Sequence, residues 1–161
     1  MEREERKLAL AKQAILNEVE GYQFYKMYAE KVSSPEVSKV FTDIANEELK
    51  HIEMLKKFLN NTPEENTELA KIEVPTPGIF KFSAMTPEDL SLAVSALSIA
   101  MKMEEDSQQF YADEAEKATD EGEKQFLLKL RDWEIQHRDM FSKEYEELKT
   151  DWWSDNAYAP F

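Results

Sequence analysis

The chain holds two histidines, and each follows a glutamate by three residues: Glu48-x-x-His51 and Glu134-x-x-His137. Upstream of each lies another matched segment, Glu18 with Phe24 and Tyr25, and Glu104 with Phe110 and Tyr111. All five corresponding pairs (Glu18/Glu104, Phe24/Phe110, Tyr25/Tyr111, Glu48/Glu134, His51/His137) are separated by the same 86 positions. One half of the chain therefore repeats the chemistry of the other in register. Four carboxylates and two imidazoles can serve a pair of metal ions.

Apolar residues recur at three- and four-residue steps in four stretches, which predicts four helices. Leu8, Ala11, Ile15, Glu18, Tyr22, Tyr25, Ala29 and Val32 form the stripe of the first. Ser33-Ser34-Pro35 breaks it, with Ser34 as N-cap and Pro35 as first position of the second helix. That helix carries Val37, Phe41, Ile44, Glu48, Ile52, Leu55 and Leu59 on one face and ends at Asn60-Asn61-Thr62-Pro63. The third starts at Thr86-Pro87 and carries Leu90, Val94, Leu97, Met101, Glu104, Gln108, Tyr111 and Ala115. The fourth starts near Asp120 and carries Leu127, Leu130, Glu134, His137, Phe141, Tyr145 and Leu148. Residues 60–86 are polar and contain several prolines, too long a connector for a tight turn. The fold expected is all-α: a ferritin-like four-helix bundle with a long crossover between helices 2 and 3. The bundle is expected over residues 1–149, and an aromatic, non-periodic tail that docks on protein surface over 150–161.

Glu18, Glu48, Glu104 and Glu134 fall on the apolar stripes. Four carboxylates converging inside one bundle repel unless cations neutralise them. An i, i+3 spacing places each Glu-x-x-His pair on one helical face. Ferritin-like di-metal bundles use this set: a Glu from each of two helices and Glu-x-x-His from each of the other two. Glu20, Glu47 and Glu105 lie off the stripe and are expected to face water. Tyr25 and Tyr111 fall two turns after Glu18 and Glu104, where their hydroxyls can hydrogen-bond the ligand carboxylates. Phe24, Phe110, Met54, Met101, Met103 and Met140 are expected to pack in the core, since thioether suits softer metals.

The sequence has no cysteine, so disulfides, thiolate metal sites and iron–sulfur clusters are excluded within it. A formal charge of −14 argues against nucleic-acid binding. No apolar run reaches the length of a membrane span, and the charged start lacks a secretory core, so a cytoplasmic protein is expected.

At Glu18-x-x-Gly21-x-x-Phe24-Tyr25 and Glu47-Glu48-Leu49-Lys50-His51 the chain resembles the rubrerythrin and ferritin-like di-iron family, over roughly residues 5 to 149. The resemblance implies Glu18, Glu48, His51, Glu104, Glu134 and His137 as ligands. It implies Glu48 and Glu134 as bridges, with Glu18 and His51 terminal on one ion and Glu104 and His137 on the other. Rubrerythrin carries a further glutamate three residues after the ligand on helix three, where this chain has Ser107. The site is therefore similar to the symmetric six-ligand kind of bacterioferritin. Nor does the sequence carry a rubredoxin module.

The function implied is a non-haem oxidoreductase with two iron ions, a di-ferrous centre oxidised by hydrogen peroxide or dioxygen, as a peroxidase or ferroxidase. It would need an external electron donor and is expected to form a homodimer. Manganese accepts the same ligands. The alternatives are iron binding or storage without turnover, and an interaction protein that uses the aromatic tail.

Overall fold

The computed structural model describes residues 2–59 and 87–155, and all four expected helices are present. They are α1 (Glu2–Lys31), α2 (Pro35–Leu59), α3 (Pro87–Lys117) and α4 (Glu121–Asp155). The described residues contain no strand. The crossover over 60–86 and the tail beyond 155 lie outside the described residues. α4 continues past the expected bundle boundary at 149, so the first residues of the tail segment are helical.

Local chemistry explains the helix starts. Ser34 Oγ accepts from the Val37 amide at 3.4 Å, and Pro35 opens α2 where a missing N–H costs nothing. Asp120 caps α4: its Oδ1 accepts from the Glu123 amide at 2.9 Å, and its carbonyl accepts from the Lys124 amide at 3.0 Å. The Glu123 amide holds the Asp120 carboxyl below the usual aspartate range. Acidic residues crowd the first turn of α1, and Lys56 and Lys57 sit in the last turn of α2, each matching the helix dipole.

The three-residue links 32–34 and 118–120 fold the chain into two antiparallel hairpins, α1–α2 and α3–α4. Tyr25 of α1 reaches Glu104 of α3, while Glu18 reaches Tyr111, so α1 and α3 run antiparallel. It follows that α2 and α3 run in the same direction, as a long crossover requires. At one end Arg6 clamps α1 to the second hairpin, donating to Glu123 Oε1 at 2.5 Å and to the Glu114 carbonyl at 3.1 Å.

The apolar interior is divided in two. One cluster includes Tyr25, Val37, Phe41, Ile44, Leu97 and Phe141. The other includes Leu55, Phe58, Tyr111, Phe126, Leu127 and Leu130. In it Phe58 and Phe126 stack with ring centroids 4.5 Å apart. Met54 and Met140 are buried as expected. The first stripe departs from expectation at its start. Leu8 is 44% exposed, while Ala11 is buried as expected and Lys7, Leu10 and Ala14 are buried beside it. Lys7 lays its stem inward with its ammonium 4.5 Å from the Phe58 ring, so a cation–π contact occupies an apolar position.

Leu130 is fully buried in the second cluster. Leu130→Ala should destabilise the protein by about 2–5 kcal/mol, the range for emptying a packed leucine site. Urea denaturation checks this, and a loss under about 1 kcal/mol would mean that the cluster collapses onto the void.

Candidate metal centre

Between the two apolar clusters lies a layer of charge. Glu18, Glu48, Glu104 and Glu134 are buried, and His51 and His137 have no exposed surface. Each helix contributes from its inward stripe. The structure brings these six residues into two groups whose ligand atoms lie within 4.8 Å of one another: Glu18, His51 and Glu134, and Glu48, Glu104 and His137. Each Glu-x-x-His motif is thus divided, its histidine in one group and its glutamate in the other. The two imidazoles stack, 5.9 Å between centroids.

Both histidines present Nδ1 to carboxylates. His51 Nδ1 lies 3.3 Å from Glu18 Oε2 and 3.5 Å from Glu134 Oε1. His137 Nδ1 lies 3.7 Å from Glu104 Oε2 and 3.9 Å from Glu48 Oε1. The other oxygens of Glu18 and Glu104 are occupied by the two tyrosines, which cross between repeats. Tyr111 donates to Glu18 Oε1 at 2.6 Å, and Tyr25 donates to Glu104 Oε1 at 2.7 Å. Each of these carboxylates therefore has one oxygen fixed by a phenol and one turned to an imidazole. Phe24 and Phe110 pack edge-on against the tyrosines.

Crowding splits the carboxylates into two classes. Burial and the Glu18 carboxylate push Glu48 well above the usual range. Burial and Glu104 do the same to Glu134. Burial also acts against Glu18, but His51, Glu48 and Tyr111 outweigh it and bring it down to about 2. Burial likewise opposes Glu104, and the neighbouring Glu134, His137 and Tyr25 outweigh it and hold it low. In the metal-free protein one proton is thus shared within Glu18/Glu48 and one within Glu104/Glu134. Burial disfavours the His137 cation, but Glu104 and Glu47 bring it to about 10. Burial raises both tyrosines well above 10, with Glu104 beside Tyr25 and Glu18 beside Tyr111 adding to it, so they remain phenols that donate.

One expectation needs correcting. Glu20 and Glu105 face solvent, but Glu47 is 6% exposed, and its Oε2 lies 2.8 Å from His137 Nε2. The inward face of α2 is wide enough to take in the residue beside Glu48, because α4 packs against that flank. The repeat carried the signal: the counterpart of Glu47 is Trp133, an apolar residue that belongs on a buried flank.

Gly21 is the close-approach point of the layer. A Cβ there would lie 3.3 Å from Glu48 Oε2 and 3.5 Å from Glu48 Cδ. Gly21→Ala gains about 1 kcal/mol of helix propensity but forces the Glu48 carboxylate to move. The expected outcome is unchanged or raised thermal stability of the metal-free protein, with weakened divalent-metal affinity. Calorimetric titration with Mn(II) checks it, and wild-type affinity would show that Glu48 has room to spare.

Three comparisons bear on this geometry. A search of curated proteins finds no match. Among solved structures the chain is similar to a hypothetical protein from Pyrococcus furiosus, with 27% identity and a TM-score of 0.64. That likeness covers 88% of this chain and 89% of the other. The family model for rubrerythrin matches residues 10–145, which span all four helices and both groups of glutamate and histidine. The chain belongs to the rubrerythrin family.

Proposed function

We propose that Glu18, Glu48, His51, Glu104, Glu134 and His137 hold two iron ions, and that the protein is a non-haem di-iron oxidoreductase acting on hydrogen peroxide or dioxygen. The observation that carries this is the pair of buried groups, each offering two carboxylate oxygens and one imidazole nitrogen. The residues fit such ions. Among the described residues, Glu48 Oε1, Glu134 Oε1 and His137 Nδ1 are buried without a hydrogen-bond partner, an expensive state that a cation would relieve. Carboxylate and imidazole ligands suit iron, and manganese equally by type. Glu48 and Glu134 interact with carboxylates of both groups, in keeping with a bridging role.

When bound, a pair of iron ions supplies two electrons to the oxidant. The protein's part is positioning and exclusion. Tyr25 and Tyr111 fix one oxygen of Glu104 and of Glu18, leaving the other directed at His137 and His51. The apolar clusters on either side keep bulk water from the layer. With no cysteine among these residues for an iron–sulfur centre, an external electron donor would serve as the reductant.

The test is single turnover. Metal-free protein loaded with Fe(II) under anaerobic conditions should take up two ions per chain. It is then mixed separately with hydrogen peroxide and with dioxygen. Faster oxidation by peroxide means a peroxidase, and faster oxidation by dioxygen a ferroxidase or oxidase. Two bound irons inert to both would leave iron binding without turnover. Glu48→Gln should abolish paired binding while leaving the metal-free fold as stable or more so, because it removes one of four crowded carboxylates. If the variant still bound two ions and turned over fully, the assignment would fail.

A pH dependence follows with a definite sign. His137 is raised from 6.5 to about 10 in the metal-free protein, so its contribution to stability is lost as pH rises across that interval. Glu48 and Glu134, also raised, act in the same direction. The melting temperature of the metal-free protein should fall from neutral pH toward pH 10, and a flat profile would contradict the titration described. Metal binding at neutral pH should release the protons these residues hold, measurable by calorimetry in buffers of different ionisation enthalpy.

A further inference from the structure

The repeat that the six ligands obey is broken beside them at a buried position, where Glu47 stands opposite Trp133. The consequence falls on the histidines. An imidazole that gives one nitrogen's lone pair to a metal carries its proton on the other nitrogen, and that N–H needs an acceptor. His137 has one: its Nε2 lies 2.8 Å from Glu47 Oε2 while its Nδ1 faces Glu48 and Glu104. His51 has none. Its Nε2 is buried with no hydrogen-bond partner, and the Trp133 ring lies 4.9 Å away at an interplanar angle of 49°. An indole N–H only donates, so Trp133 offers His51 a ring face and no lone pair.

We infer that the two halves of the centre bind metal unequally. The Glu48–Glu104–His137 half takes a divalent cation first and more tightly because Glu47 positions His137, and the Glu18–His51–Glu134 half fills second. This rests on the six residues forming a two-ion centre, as proposed above. Glu47 contributes in two ways. When a metal displaces the Nδ1 proton, Glu47 keeps the remaining proton on Nε2, so that the Nδ1 lone pair faces the carboxylates, and its negative charge makes that nitrogen a better donor. His51 must find its tautomer and ring orientation without either aid. Removing such a partner from a metal-bound histidine typically costs about 10–100-fold in affinity, which sets the expected gap between the halves.

Anaerobic titration of the metal-free protein with Co(II), followed by visible absorption and calorimetry, tests this. Two steps are expected, with dissociation constants about 10–100-fold apart. His137→Ala should remove the tight step and His51→Ala the weak one. Glu47→Ala should weaken the tight step about 10–100-fold and leave the other unchanged. Glu47→Gln keeps an acceptor oxygen without the charge and should restore part of the gap. It also serves as the readout if Glu47→Ala does not fold. Two ions bound with indistinguishable affinity, or a Glu47 variant that weakens both steps alike or neither, would overturn the inference while leaving the two-ion centre standing. Failure of the wild type to bind two Co(II) ions would overturn both.

Discussion

Four carboxylates buried in one layer are the constraint around which the molecule is built. Such a layer cannot remain fully ionised in a dry interior. Without metal the protein answers with protons, one within each of two glutamate pairs, and with the His137 cation set between Glu104 and Glu47. Each answer is a partial neutralisation. The orphaned oxygens of Glu48 and Glu134 remain as a measure of what it leaves undone. Two divalent ions would neutralise four negative charges at once. The arrangement is therefore poised to exchange protons for metal, and the site's demand for cations is a direct consequence of its burial.

The two-hairpin fold makes that burial possible. Each hairpin brings two carboxylates and one histidine, so neither is a complete site alone. The tyrosines tie the halves together across the layer. Tyr25 belongs to the first hairpin and holds Glu104 of the second, while Tyr111 of the second holds Glu18 of the first. Separating the hairpins would break two charge-assisted hydrogen bonds in a region closed to water. The apolar clusters above and below supply the driving force, and the polar layer between them fixes register. Sliding one hairpin by a single turn would leave Glu18 and Glu104 without their phenols.

Most of this geometry is legible in the sequence because helical periodicity and ligand spacing speak together. Glu18, Glu48, Glu104 and Glu134 interrupt apolar stripes at positions that can only point inward. The cap at Ser34 and the helix start near Asp120 are equally plain, and the structure makes Asp120 a cap as well. Two features resisted. The exposed Leu8 and buried Lys7 reflect a contact with Phe58, a residue far along the chain that periodicity cannot anticipate. Glu47 was hidden for a subtler reason. A stripe drawn as a line misses its flanks, and in a bundle each flank of a helix meets a second neighbour. Only the comparison of Glu47 with Trp133 marks that flank as buried. The division of each Glu-x-x-His pair between the two groups is likewise a property of how α2 meets α4, and spacing along one helix is silent on it.

Where the repeat is kept and where it is broken separates the two roles of the site. The six metal-facing residues and the two tyrosines obey it without exception, because each ion needs the same donor set. The departures cluster just outside. Gly21, which makes room for Glu48, stands opposite Ser107, and Glu47 stands opposite Trp133. Tyr22 stands opposite Gln108, whose Oε1 is buried without a partner. The immediate ligands thus set what kind of ion can bind, and their surroundings set how tightly and in what order. A duplicated ligand set need not give two equal sites, since the affinity of an imidazole for a metal depends on what its far nitrogen touches.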